Sequence, residues 1–132
     1  MIGTDLVELE RIKVAINRTP RFRKRMFTIS EIDYCESRAN PYQSFAVRFA
    51  AKEAFRKLHP SLTSGIKFHE VEVEVEPSGR PFFKLRGEAL ARVQKLNISY
   101  IDLSLSHAGE YALAVAIAVR EARRLYHEDC KC

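Results

Sequence analysis

Apolar and polar residues follow two different periods along this chain, and the period changes near residue 70. After a short apolar start at 1–4, which fits a strand, apolar residues recur every three or four positions, which is typical of amphipathic helices. Downstream, apolar and polar residues alternate over 70–76 and 101–106, which is typical of half-buried strands. We therefore expect an α+β fold, with two helices packed on one face of a mainly antiparallel sheet.

The clearest helix prediction covers 45–58, which contains no Gly or Pro and is rich in strong helix formers. On a helical projection one apolar arc contains Val47, Ala50, Ala51, Ala54, Phe55 and Leu58. The opposite side carries a basic stripe of Arg48, Lys52 and Arg56. Glu53 and Lys57 lie one turn apart at the edge of the arc. They are either an ordinary helical ion pair or part of a metal and phosphate site.

Two helices are predicted before this one. Leu9, Ile12 and Ile16 have helical spacing, and Asp5 with Glu8 has the D-x-x-E form of a capping box, so Asp5 is the predicted N-cap. The next helix starts at Thr19-Pro20, with Thr as the cap and Pro in the first position. It turns Phe22 and Met26 inward, and its exposed basic face contains Arg21, Lys24 and Arg25. A short helical segment at 30–37 and a loop at Asn40-Pro41 follow.

The second half of the chain predicts a hairpin, a helix and two strands. Residues 70–86 form the hairpin, with Val71, Val73 and Val75 on one face and glutamates on the other. A helix over 87–96 turns Ala89, Leu90 and Val93 inward, and His107–Glu110 form a turn. The last strand has four alanines on one face and Tyr111, Leu113, Val115 and Ile117 on the other. We expect its alanine face to pack against the helix at 45–58.

Composition fits one globular domain, which we assign to 1–120, followed by a polar tail at 121–132 whose last residues we expect to be disordered. The net charge of +5 favours acidic partners: a phosphorylated ligand, nucleic acid, an acidic protein or an anionic membrane surface. No apolar run approaches the roughly 20 residues of a membrane span, and the start lacks a signal-peptide pattern. Three cysteines do not suggest a disulfide framework, so we interpret Cys130 and Cys132 as tail thiols in a reducing cytoplasm.

Three segments together resemble one known family. They are GTDLVELERI at 3–12, RFAAKEAFRKL at 48–58 and LSLSHAGEYALAVAI at 103–117, and the turn SGRP at 78–81 adds a fourth match. Their order and spacing resemble the holo-acyl-carrier-protein synthases, bacterial 4′-phosphopantetheinyl transferases, over about residues 1–119. This sequence has Phe49 where many members have Trp, and its loop HPSLTSGIKF is shorter and less glycine-rich than usual.

The resemblance implies the 4′-phosphopantetheinyl transferase fold and an activity. The enzyme would transfer 4′-phosphopantetheine from coenzyme A to a serine of apo-acyl carrier protein, releasing adenosine 3′,5′-bisphosphate, in fatty acid biosynthesis. It implies Mg²⁺ on Asp5 and Glu53, with Glu53, Lys57 and Asp5 as the catalytic residues. The base for the serine hydroxyl is either Glu53 or a metal-bound water that Glu53 holds. Coenzyme A is implied to contact Arg48, Lys57, Gly79, Arg80, Pro81, Ser106 and His107.

The implied partners are an acidic acyl carrier protein, coenzyme A and further copies of the chain, since family members are usually trimers with sites between subunits. We predict that the carrier docks on Arg11, Arg18, Arg21, Lys24 and Arg25. No nucleic acid, membrane partner or compartment other than the cytoplasm is implied. The competing hypothesis is a non-catalytic basic module that binds coenzyme A, another nucleotide or RNA, although the chain has no P-loop or GxGxxG motif and no aromatic-plus-Gly RNA signature.

Overall fold

The computed structural model describes residues 1–120, so the predicted disorder of the tail and the thiols Cys130 and Cys132 lie outside the described residues. The helices are α1 (Leu9–Arg18), α2 (Phe22–Met26), α3 (Ile29–Glu36), α4 (Pro41–Arg56) and α5 (Gly87–Lys95). The strands are β1 (Ile2–Glu8), β2 (Val71–Val75), β3 (Pro81–Leu85), β4 (Tyr100–Ala108) and β5 (Tyr111–Val119). This order confirms the predicted α+β class.

The strands form two antiparallel sheets rather than one. The larger sheet has the order β1-β5-β4, and β2 pairs only with β3, as the predicted hairpin. All four alanines of β5 are buried and face α4, which confirms the prediction that this face packs against the central helix. The approach is so close that a Cβ on Gly3 would lie 1.9 Å from the carbonyl oxygen of Ala54, so only glycine fits there. α4 therefore covers the inner face of the larger sheet, and α1 packs mainly against α4.

The predicted apolar arc of α4 is confirmed, because its six residues are all buried. The helix begins earlier than predicted, at Pro41. Asn40, expected in a loop, is its N-cap, and the side-chain oxygen of Asn40 accepts a hydrogen bond from the amide of Gln43 at 3.3 Å. A side-chain acceptor followed by Pro at the first position is a standard helix start.

Two predicted helix starts are wrong. Asp5 does not cap α1, because it lies inside β1 opposite Ala114, and the strand continues to Glu8. Thr19 does not begin the next helix either, since it is the C-cap of α1 and donates its amide to the carbonyl of Ala15. At Asp5 the local capping pattern was overridden by long-range structure, because pairing with β5 continues β1 to Glu8, the last residue of the predicted capping box.

The predicted basic stripe on α4 is also wrong in two of its three positions, since Arg48 and Lys52 are buried. The ammonium group of Lys52 donates all three of its protons, to Glu31 Oε1 at 2.8 Å and to the carbonyls of Phe68 and Val71. Glu31 caps α3 together with Thr28 and also accepts the amide of Val73 at 3.0 Å. Burial lowers the pKa of Lys52, and the Glu31 carboxylate opposes that shift.

Three further expectations need correction. Glu72, predicted to face solvent, is buried and pairs with Arg86 at 3.1 Å. Leu90, predicted to point inward, is 39% exposed. His107 lies within β4, because the turn is confined to residues 109–110.

The outer face of the larger sheet, turned away from α4, has large exposed apolar side chains on β1 and β5. They are Ile2, Leu6, Tyr111, Leu113 and Ile117. The strand register places Ile2 opposite Ile117 and Leu6 opposite Leu113, so these side chains form one continuous patch, which we call the outer patch. Among residues 1–120, no helix combines the length and apolar character needed to cross a lipid bilayer.

Candidate functional site

The first part of the site is at the C-terminal end of α4, where two carboxylates each contact a cation. Lys57 Nζ lies 2.9 Å from Asp5 Oδ1, and Arg56 Nη1 lies 3.4 Å from Glu53 Oε1. Lys57 therefore pairs across to β1 and not with Glu53 one turn before it. The Asp5 side chain is 14% exposed and that of Glu53 25%, so both oxygens remain within reach of a ligand. We call Asp5, Glu53 and Lys57 the acidic end of α4.

The loop that follows α4 is held by two arginines. Arg56 donates from Nε to the carbonyl of Thr63 at 3.1 Å and also from Nη2, while Arg92 of α5 donates to the carbonyls of Ser61, at 2.9 Å, and Ser64. Gly65 has φ +76°, a backbone conformation that favours glycine. The two arginine side chains thus fix the loop next to the acidic end.

The second part is a cleft of about 540 Å³ beside the N-terminal half of α4. Its wall includes Arg38, Gln43, Arg48 and His107, and none of the residues that line it is Asp or Glu. Gln43 Nε2 lies 3.0 Å from His107 Nδ1. Since the amide nitrogen donates, Nδ1 accepts, and the ring proton of a neutral His107 is on Nε2, available to an anion. We call this feature the cationic cleft.

Arg48 is the buried member of the cationic cleft, at 4% exposure. Its Nη1 donates to the carbonyl of Ser44 at 3.2 Å, its guanidinium stacks over the ring of Tyr34, and its buried Nε has no hydrogen-bond partner among the described residues. A buried guanidinium without a carboxylate partner is well suited to contact an anion.

Cys35 is also buried, and burial raises the pKa of its thiol to about 12. The thiol therefore stays protonated and is not a nucleophile.

The remaining residues predicted to contact coenzyme A are divided between locations. Gly79 and Pro81 line the cationic cleft with Arg48 and His107. Arg80, between them, instead points to Asp102 of β4, with 2.7 Å between Nη2 and Oδ1. Ser106 is opposite Leu113 in the sheet, on the outer face, whereas His107 is on the inner face. The structure thus separates Ser106 from its neighbour in sequence.

The five predicted carrier-docking residues are all exposed. They lie along α1 and α2, at Arg11, Arg18, Arg21, Lys24 and Arg25. Phe22 and Met26 of α2 pack toward the core, as predicted, so α2 presents its basic residues to solvent. An unpredicted apolar groove of about 720 Å³ lies next to Lys24 and is lined by Phe27, Ile29 and Ile32.

The described residues contain no group of three or more His, Cys, Asp or Glu side chains arranged to hold a metal. A closed protein cage is therefore excluded within residues 1–120. Mg²⁺ does not need one, because it commonly takes one or two carboxylates and completes its shell with substrate phosphates and water. The oxygen donors of Asp5 and Glu53 fit that requirement.

Sequence reasoning missed Tyr34, Arg38 and Gln43 of the cationic cleft. Tyr34 and Arg38 come from the C-terminal end of α3 and the segment after it, and neither belongs to a motif that could have singled it out. Gln43 lies before the predicted start of the helix at 45–58, whereas the structure puts it in the first turn of α4 facing His107. The Asn40-Pro41 pair was interpreted as a loop, but it could have been interpreted as a helix start, and it was the one available signal.

Comparison with known proteins shows which family this chain resembles. The family model for the 4′-phosphopantetheinyl transferase superfamily (ACPS) matches residues 1–116. A holo-[acyl-carrier-protein] synthase of Ruminiclostridium cellulolyticum is 42% identical over 120 residues, 89% of this chain and 90% of the relative. One of Desulforudis audaxviator is 44% identical over 119 residues, covering 89% and 91%.

Solved structures show the same fold. The crystal structure of Helicobacter pylori holo-[acyl-carrier-protein] synthase in complex with coenzyme A aligns with a TM-score of 0.75 at 28% identity, covering 90% of this chain and 100% of that one. A coenzyme A complex of the synthase from Chronobacterium ammoniagenes aligns at 0.77 and 29% identity, covering 92% and 97%. The chain therefore belongs to the 4′-phosphopantetheinyl transferase superfamily, as one of its holo-[acyl-carrier-protein] synthases.

Proposed function

We propose that this enzyme transfers 4′-phosphopantetheine from coenzyme A to a serine of an acidic apo-acyl carrier protein, in a Mg²⁺-dependent reaction of fatty acid biosynthesis in the cytoplasm. The observation that carries the proposal is the division of α4 into two charged regions. Its C-terminal end holds two carboxylates and a lysine, and its N-terminal half faces a cationic cleft without a carboxylate. Coenzyme A has two separated phosphate groups, and the two regions suit one each.

The reaction is a phosphoryl transfer. The serine oxygen bonds to the phosphorus that carries pantetheine, the bond from this phosphorus to the bridging oxygen breaks, and adenosine 3′,5′-bisphosphate leaves with the electron pair. Little covalent help is required from the protein, so catalysis depends on positioning and on stabilising charge at the leaving phosphate. The serine proton goes to Glu53 or to a water that Glu53 holds.

The acidic end of α4 is the proposed place for the pyrophosphate. Asp5 and Glu53 would hold Mg²⁺, and the ion when bound would supply positive charge opposite the pyrophosphate oxygens. Asp5 contacts Lys57 and Glu53 contacts Arg56, and Mg²⁺ could displace each of these cations from its carboxylate. We infer that Lys57, whose side chain is 53% exposed, turns from Asp5 to a phosphate oxygen when substrate binds.

The cationic cleft is the proposed place for the nucleotide. Arg48 and His107 would contact its phosphate, because they are a buried guanidinium with an unused donor and an imidazole with an available Nε2 proton. The backbone of Gly79–Pro81 borders the cleft and would lie against the adenine. Arg80 and Ser106 lie outside this cleft, toward the outer face, so we assign them to coenzyme A only where a neighbouring subunit extends the site.

Assembly into a trimer would provide that extension. The outer patch exposes five large apolar side chains on one sheet face, which is an unusual arrangement for a chain that acts alone. Burying this patch against other copies would bring the outer side of β4, with Ser106, to a subunit boundary. We therefore infer that the acidic end of one subunit and the cationic cleft of its neighbour contribute to one site.

The carrier would approach along α1 and α2. Among residues 1–120, the five exposed basic residues there form no salt bridge: they are Arg11, Arg18, Arg21, Lys24 and Arg25. Their charge is consequently available to an acidic surface, where it would steer the encounter and fix the orientation of the carrier.

The test is direct incubation of the purified chain with coenzyme A, Mg²⁺ and an apo-acyl carrier protein, followed by mass spectrometry of the carrier. We expect the carrier to gain one phosphopantetheine group, and to gain none when its target serine is replaced by alanine. If coenzyme A binds but no mass is gained with any acidic carrier, the chain is a binding protein and the proposed transfer is wrong.

A further inference from the structure

Arg56, the last residue of α4, is held firmly by the loop after the helix and only loosely by Glu53. Its Nε donates to the carbonyl of Thr63 at 3.1 Å, its Nη2 donates to the same oxygen, and its Cζ lies 5.2 Å from the centroid of the Phe68 ring. The contact with Glu53 is a single one, from Nη1 to Oε1 at 3.4 Å, which is longer than an ordinary N–H···O bond. Breaking the contact with Glu53 would therefore leave the guanidinium in place.

The charges of the acidic end are balanced in pairs before a ligand binds. Asp5 contacts Lys57 and Glu53 contacts Arg56, so two carboxylates face two cations. The pyrophosphate of coenzyme A has one negative charge on each of its two phosphates. If Mg²⁺ is held by the two carboxylates, its charge balances theirs, and the two side-chain cations are left to balance the pyrophosphate. Both cations, and not Lys57 alone, are needed for this balance.

We propose that Arg56 is a catalytic residue that makes two contacts in succession. It covers Glu53 before substrate binds, and afterwards its Nη1 donates to the pyrophosphate. While Arg56 covers Glu53 it competes with the metal ion, so the ion binds well only together with the phosphate that Arg56 then contacts. The proposal rests on the proposed function and deepens it, because it assigns Arg56 to the substrate in addition to Lys57. It adds no covalent step to the transfer.

Arg56 and Lys57 differ in how far each must move to reach the substrate. The side chain of Lys57 is 53% exposed, and among residues 1–120 its ammonium group contacts only Asp5. The side chain of Arg56 is 29% exposed and anchored on Thr63, and Arg92 holds the same loop through two further carbonyls. The Nη1 of Arg56 is thus already in position. A donor that needs no reorganisation during the reaction is effective in stabilising charge on the leaving phosphate.

The first test measures ion binding without turnover. Mn²⁺, a hard cation that carboxylates also bind, is titrated into the enzyme without coenzyme A, and the free ion is followed by electron paramagnetic resonance. Arg56→Met keeps an unbranched side chain and removes the competing charge, so we expect it to bind Mn²⁺ about threefold more tightly than the wild type. Arg56→Gln also removes the charge but keeps a donor for the carbonyl of Thr63. It should give the same increase, which a loosened loop would not produce.

Arg92→Met is the matched control for this titration. It removes the same charge and two contacts to the same loop, but Arg92 pairs with Glu88 and does not contact Glu53. We expect its Mn²⁺ affinity to equal that of the wild type. An Arg92→Met variant that binds Mn²⁺ as tightly as Arg56→Met would show that the loop, and not competition for Glu53, sets the affinity.

The second test measures by calorimetry how much Mg²⁺ tightens the binding of coenzyme A. Arg56→Met should reduce this increase at least about fivefold and leave the Mg²⁺-free affinity unchanged, whereas Arg92→Met should retain the increase. The kcat of Arg56→Met should fall at least about tenfold. The proposal is overturned if Arg56→Met binds Mn²⁺ no more tightly than the wild type, or if it keeps the full Mg²⁺ effect. Failure of the proposed function looks different, since the wild type would then transfer nothing while both binding measurements could still be made.

Discussion

The two ends of α4 differ in how their charges are balanced before any ligand arrives. At the acidic end, Asp5 contacts Lys57 and Glu53 contacts Arg56, so each charge already has an opposite neighbour. In the cationic cleft, Arg48 has no carboxylate and an unused Nε. At the acidic end, Lys57 and Arg56 can leave the two carboxylates when a cation and a phosphate enter together. The cationic cleft has an uncompensated positive charge and attracts an anion even when it is empty. The ion pairs at one end of α4 therefore exchange on binding, whereas the charge at the other end does not change.

Removing a carboxylate from the acidic end should produce the largest effect on the reaction. We expect Asp5→Ala and Glu53→Ala each to lower kcat/KM at least about 1,000-fold, equivalent to about 4 kcal/mol, because charge at the leaving phosphate would no longer be offset. Rates at saturating Mg²⁺ would be measured together with circular dichroism, which should show an intact fold. Near-normal turnover by Glu53→Ala under these conditions would remove the metal assignment.

Between the two ends, Lys52 fixes α4 to α3 and to the start of β2. Lys52→Met leaves the Glu31 carboxylate buried without its cation, and we expect it to lower the free energy of unfolding by about 3–5 kcal/mol. Urea titration measures this. The double variant Lys52→Met with Glu31→Leu removes both charges, so its free energy of unfolding should fall less than that of the single variant. Equal losses in the two variants would indicate that packing rather than an unpaired charge dominates.

Charge in the outer patch should separate the subunits. Leu113→Glu places a carboxylate in the centre of the patch, so we expect a monomer, with a large loss of activity if each site spans two subunits. Sedimentation and light scattering give the mass, and dilution of the wild type should lower its specific activity. Leu90→Glu is the matched control, because Leu90 has nearly the same exposure, 39% against 38%, but lies on α5. A fully active wild-type monomer would contradict the shared site.

The smallest of these effects is expected on the carrier. Arg21→Glu with Arg25→Glu should raise the KM for the carrier at least about tenfold, or about 1.4 kcal/mol, and leave the KM for coenzyme A almost unchanged. The difference in carrier KM between this variant and the wild type should become smaller at high salt, since the Debye length is only about 10 Å at 0.1 M. Lys84→Glu with Lys95→Glu changes the net charge equally on other elements. A similar loss in that control, or an equal loss for both substrates, would show that α2 is not the docking face.

The predictions from sequence were correct where the spacing of apolar residues within one segment determined which face is buried. The buried arc of α4 and the alanine face of β5 follow from spacing alone, because packing acts on the residues that share a face. The predictions failed where distant partners decided the outcome. Lys52 looked exposed because nothing local reveals the acceptors Glu31, Phe68 and Val71, which come from three other segments.

The candidate site shows the same division. Motifs singled out Asp5, Glu53 and Lys57 as candidates, but the helix-capping role given to Asp5 was wrong, because pairing of β1 with β5 is long-range. The burial of Arg48 and the participation of Tyr34 and Arg38 could not be predicted, since their proximity depends on how α3 is placed against α4. Local patterns identified chemical groups, and only the fold showed which of them meet.

The most direct test of the division of α4 is the coupling between Mg²⁺ and coenzyme A, measured by calorimetry with and without the ion. In the wild type, Mg²⁺ should tighten coenzyme A binding. Glu53→Ala should abolish this increase and leave the Mg²⁺-free affinity unchanged, whereas Arg48→Ala should weaken binding by the same factor in both conditions. If Arg48→Ala removes the Mg²⁺ effect, or Glu53→Ala preserves it, the two ends of α4 do not hold separate phosphates and the account is wrong.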